Sequence, residues 1–191
     1  MELNLLNIIS KTVSTIDSIN NSIGIWLSWL TLGCVLNCFL VVILRYVFSI
    51  GFPWMQELYV WQHAIIFLGG ASFTLLNNNH VNVDILYSQL SNRKKCFIDI
   101  LGTLFFLFPW IFVVAFTSSS FIISSWNILE PSSQTNGMVG LFLLKSMIWF
   151  FCFFVFLQGI SLIGSRILIL SNHTTKKSIK NKYSHNKSEL S

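Results

Sequence analysis

From Ile23 to Leu44 the sequence carries no charged side chain. At 1.5 Å per helical residue that run reaches about 33 Å, enough to cross the ~30 Å hydrocarbon core of a bilayer. Three more runs follow: Leu58 to Leu76, Ile100 to Leu129, and roughly Gly140 to Leu168, the last with Lys145 about one turn inside. Composition agrees, because a soluble domain could not hide 18 Phe and 7 Trp in 191 residues of which 53% are hydrophobic and 10% charged. The expected fold class is an all-α integral membrane protein with four transmembrane helices plus short amphipathic interfacial helices.

Three segments are expected. Residues 1–22 place Leu6, Ile9, Val13 and Ile16 at alternating three- and four-residue steps, the pattern of an amphipathic helix lying at an interface. Residues 23–170 form the four-helix membrane domain. Residues 171–191 are rich in Lys, Ser and Asn and read as a disordered basic tail. The start of the chain does not read as a cleavable signal, since Glu2 precedes any cation and Lys11 interrupts the apolar residues.

Within the membrane domain, Gly51-Phe52-Pro53-Trp54 turns the chain and places Pro53 just before the second helix. Between the second and third runs, Val83, Leu86, Tyr87 and Leu90 share one helical face. Arg93, Lys94 and Lys95 follow in what the pattern makes the last turn of a surface helix, where cations complement the dipole. Pro109 should disturb the third helix near Phe105 to Pro109.

Counting cations gives an orientation. With the amino terminus, the central segment and the tail on one side, that side holds ten: Lys11, Arg93, Lys94, Lys95, Arg166 and five tail lysines. The other side holds Arg45 and Lys145. The positive-inside rule then makes both termini cytoplasmic. A net charge of +5 concentrated at run ends and in the tail points to anionic membrane lipid rather than nucleic acid.

Few residues suggest chemistry. Glu57 opens the second span; it reads either as a headgroup-level partner of Arg45 across a short turn or as a proton carrier. His63 stands alone in its span, a poor metal or haem site. His80 and Asp84, at i and i+4, suit the start of the surface helix better than a metal. Lys145 is expected to snorkel to headgroups. Trp54, Trp61, Trp126 and Trp149 read as belt and packing residues, and Gly69-Gly70-Ala71-Ser72 as a smooth patch that lets a neighbouring helix approach. Cys34, Cys38, Cys96 and Cys152 form no C-x-x-C and read as small hydrophobes. No catalytic residue, cofactor site or metal site is expected.

A resemblance adds a function. Arg45-Tyr46-Val47-Phe48, Gly51-Phe52-Pro53-Trp54-Met55-Gln56-Glu57-Leu58 and His80-Val81-Asn82-Val83-Asp84-Ile85-Leu86 look like the small membrane subunit, the DctQ type, of tripartite ATP-independent periplasmic (TRAP) transporters. Ser125-Trp126 with Glu130 and Ser132, Leu144-Lys145-Ser146 and Leu157-Gln158-Gly159-Ile160 continue the resemblance, which spans about Ile23 to Leu170. It implies a chain that is not an enzyme and does not transport alone. Its implied partners are a large multi-span permease subunit, holding the sodium and substrate sites, and a periplasmic solute-binding protein that delivers an organic acid. The small subunit would be scaffold in the bacterial inner membrane. Arg45, Trp54, Glu57, Gly69, Gly70, His80, Asp84, Glu130, Lys145 and Gln158 are then the structural or interface candidates. The contrasting expectation is a small homo-oligomeric proton-coupled exporter using Glu57.

Overall fold

The computed structural model describes residues 2–77 and 90–171. They form α1 (Glu2–Tyr46), α2 (Pro53–Leu76), α3 (Asn92–Gly102), a π-helical turn (Thr103–Leu107), α4 (Phe108–Asn127) and α5 (Leu141–Leu170). α3, the π turn and α4 run on as one rod. Four helices are therefore long and apolar enough to cross a membrane, as the sequence leads one to expect, and the described residues contain no strand.

The expected boundary near residue 22 is not a break. α1 continues through it and, at 45 residues, is about 67 Å long, twice the hydrocarbon thickness. Nothing in Ile19-Asn20-Asn21-Ser22-Ile23 forbids helix, since no glycine or proline intervenes, and packing against α5 holds the amino-terminal half in line. The amphipathic pattern is thus the pattern of a helix packed along one side.

α1 and α2 are antiparallel neighbours, with Leu27 against Gly69, Cys34 beside Tyr59 and Asn37 beside Met55. α5 is the hub, touching α1, α2, α3 and α4. Its buried positions, Cys152, Val155, Gln158, Gly159, Ser161 and Gly164, lie along the length that the other helices cover. Ile111, Cys152 and Val155 form the apolar core, with Ala71 and Leu75 of α2 and Leu107 packed on it. Outward, Trp26, Phe67, Phe106, Phe112 and Phe116 are all exposed. Such a surface is compatible with lipid or another membrane helix and not with water.

Phe52 is extended and Pro53 opens α2, as the turn sequence predicts. The disturbance before Pro109 takes the form of the π turn at Thr103–Leu107, which absorbs the missing N–H and the clash of the ring with the preceding turn. The cations of the central segment require a correction. Ser91 is extended and α3 begins at Asn92, so Arg93, Lys94 and Lys95 stand in the first turn of α3 and not in the last turn of a preceding helix. There they oppose the helix dipole. The expected surface helix itself, with His80 and Asp84, and the expected disordered tail beyond Ser171 lie outside the described residues.

Candidate functional site

Two groups of polar side chains tie the bundle together, one at each end. At the loop end, where α2 starts, α4 stops and α5 begins, Glu57 and Glu130 are the anchors. Glu57 lies in the second turn of α2 and accepts the hydroxyl of Ser132 on one oxygen and the Met138 backbone N–H, at 2.6 Å, on the other. Gly137 makes that approach possible, because a Cβ there would come within 2.7 Å of Glu57 Oε2. The 128–140 connection is thereby held against a helix some eighty positions earlier in the chain.

Glu130 fastens the same connection to the other two helices. It accepts the Ser125 hydroxyl of α4 at 2.6 Å and pairs with the Lys145 ammonium of α5. Lys145 also lies over the Phe121 ring, 4.0 Å from its centroid. The Trp126 indole N–H donates to Ser146 Oγ at 2.8 Å. The hydrogen bond from Lys145, followed by the one from Ser125, holds the Glu130 carboxyl below its ordinary range, because both favour the charged form.

At the opposite end, toward the end of α5, α1 is fixed to α5. Asn20 Nδ2 donates to Gln158 Oε1 at 2.6 Å, Gln158 Nε2 donates to Asp17 Oδ1 at 3.1 Å, and Ser161 Oγ donates to the same oxygen at 2.6 Å. Asn20, Gln158 and Ser161 are 0%, 3% and 1% exposed, so these bonds are made away from solvent. One turn further along, a Cβ on Gly164 would meet Val13 Cγ2 at 2.7 Å, which shows how close the two backbones come. Arg166 of α5 pairs with Asp99 of α3 at 2.8 Å.

The family model described as "Tripartite ATP-independent periplasmic transporters, DctQ component" matches residues 34–168. The chain belongs to the DctQ family. No curated protein and no solved structure matches it. DctQ proteins are transporter components and not enzymes. The match takes in the whole loop-end cluster and stops short of Asp17 and Asn20, so the buried amide–carboxylate chain joins the matched α5 to an amino-terminal extension outside the match.

Of the candidates named from sequence, Glu57, Glu130 and Lys145 come together in this DctQ chain at the loop end, and Gln158 lies at the other. Two expectations about them are overturned. Arg45 is exposed and forms no ion pair with Glu57, whose oxygens face the 128–140 connection across the bundle rather than the short α1–α2 turn. Lys145 does not snorkel alone to the membrane surface; Glu130 reaches back to it, which is the nearer way to neutralise a cation one turn inside a helix. Trp54 is exposed beside Phe52, with ring centroids 6.3 Å apart. Gly69 faces Leu27, while a Cβ on Gly70 would meet nothing within 4 Å, so the small-residue patch does not act as one surface.

The sequence reading passed over Asp17, Asn20, Ser161 and the Asp99–Arg166 pair. A signal existed for the first three, since Asp17/Asn20 and Gln158/Ser161 are both i, i+3 polar pairs on otherwise apolar faces. Among the described residues no three His, Cys, Asp or Glu side chains gather as a metal site, and all four cysteines are free thiols.

Proposed function

We propose that this chain is the small permease subunit of a TRAP transporter in a bacterial inner membrane. It would serve as scaffold for a large permease subunit that performs sodium-gradient-driven uptake of an organic acid delivered by a periplasmic binding protein. Membership of the DctQ family carries the reading. The polar inventory supports it: the carboxylates, amides and hydroxyls described above bond to one another between helices and from helix to connection, and such bonds hold the bundle in register rather than enclose a solute. Glu57, the residue an exporter would use, spends its acceptors on Ser132 and Met138 at the mouth of α2.

The test is reconstitution. The chain alone, in vesicles with an inward sodium gradient, should accumulate no organic acid, and co-reconstitution with a large permease subunit and a solute-binding protein should restore uptake. Sodium-driven uptake by the single chain would refute the scaffold role.

A further inference from the structure

α2 carries a second face that is left largely open among the described residues. Val60, His63, Phe67, Gly70 and Thr74 follow one another at steps of three and four residues and so lie along one stripe of the helix. Val60, His63 and Phe67 are exposed, the His63 and Phe67 rings stack at 6.5 Å, and the space over Gly70 is open. Steps of this kind give the seam along which one helix packs against a single neighbour, with Gly70 as the point of closest approach.

His63 favours protein over lipid as that neighbour. It lies about 15 Å along α2 from Pro53, near the middle of a bilayer core about 30 Å thick. Hydroxyls on these helices can be satisfied by their own backbone: those of Thr31, Thr74 and Thr117 donate to the carbonyls of Leu27, Gly70 and Val113. A ring cannot turn back in this way, and His63 has no hydrogen-bond partner among the described residues. Lipid tails offer none at that depth, so an imidazole facing them is expensive, whereas a protein helix with a polar side chain or an exposed carbonyl removes the cost.

We infer that the Val60–Thr74 face of α2 is the docking surface for a transmembrane helix of the large permease subunit, with a hydrogen-bonding group of that helix opposite His63 and a side chain seated over Gly70. This rests on the two-subunit reading above. The adjacent glycines then have separate duties, Gly69 toward α1 inside the chain and Gly70 toward the partner.

The test uses the full chain, tagged and co-expressed with the large permease subunit, with a benzophenone amino acid at Phe67. Irradiation should give an adduct of small plus large subunit. His63→Leu should weaken the complex about tenfold, the scale of a central interface position, and Gly70→Leu should abolish the adduct. A lipid-facing stripe predicts the reverse for His63→Leu, with unchanged or improved recovery of the complex. Co-purification with no adduct at Phe67, or an adduct of two small subunits, would overturn the assignment of this face while leaving the two-subunit reading in place. Failure of the unmodified pair to co-purify would overturn both.

Discussion

Glu57 and Met138 stand 81 positions apart in the chain, yet the carboxylate accepts the Met138 N–H at 2.6 Å with Ser132 on its other oxygen. A carboxylate between two donors of one connection works as a clasp. Glu57→Ala should lower stability by about 1–3 kcal/mol, the usual result of leaving donors unsatisfied. Gly137→Ala should act in the same direction, because the added carbon displaces the Glu57 oxygen. Arg45→Ala should leave stability unchanged. Thermal unfolding of the purified variants in detergent checks all three, and equal losses from Arg45→Ala and Glu57→Ala would restore the ion-pair account.

The Glu130–Lys145 pair should be pH-dependent in one direction. The folded Glu130 carboxyl titrates below its ordinary value, so the clasp's contribution is fully present above the ordinary carboxylate range and fades as pH falls through that range to the depressed folded value. The difference in melting temperature between the native chain and Glu130→Gln should be large at neutral pH and shrink in acid. A difference that does not change with pH would mean that the carboxylate charge is not what holds Lys145.

The chain of bonds from Asn20 through Gln158 to Asp17 should behave as a unit. Gln158→Leu removes a donor to Asp17 and an acceptor from Asn20 at once, and should cost about 1–3 kcal/mol, chiefly from the buried Asn20 amide left without its acceptor, since Ser161 still donates to Asp17. Adding Asn20→Leu to Gln158→Leu should recover part of the loss, since the stranded amide is then gone. Additive losses in chemical denaturation would show that the two amides are energetically independent.

Orientation can be read directly. Reporter fusions at Asn92, Gln134 and Ser191 should give cytoplasmic activity at the first and last and periplasmic activity at Gln134, from the bias of ten cations against two. Arg93, Lys94 and Lys95 add to this expectation, because cations at the start of α3 oppose the helix dipole and anionic headgroups would offset that opposition. Periplasmic activity at Asn92 would reverse the topology.

What the sequence determined by itself is local. The four spans follow from uninterrupted apolar length, the start of α2 from Phe52-Pro53, and the irregular turn before α4 from Pro109, each set by residues within a turn or two. The continuity of α1 was equally local, but a change from polar-patterned to wholly apolar sequence resembles a boundary when nothing shows that α5 packs on the first half of one helix and α2 on the second. The tertiary structure alone decided which polar side chains meet and which way each helix face looks. Glu57 and Arg45 are near in sequence, and a reading from sequence pairs them; the fold instead turns Glu57 across the bundle to Ser132 and Met138, and brings Glu130 to Lys145 and Asp17 to Ser161. Adjacent Gly69 and Gly70 look like one patch in sequence, yet a helix turns 100° per residue, so one meets Leu27 and the other open space. Those pairings depend on the depth and rotation at which separate helices pack, and neither quantity is carried by any single stretch of chain.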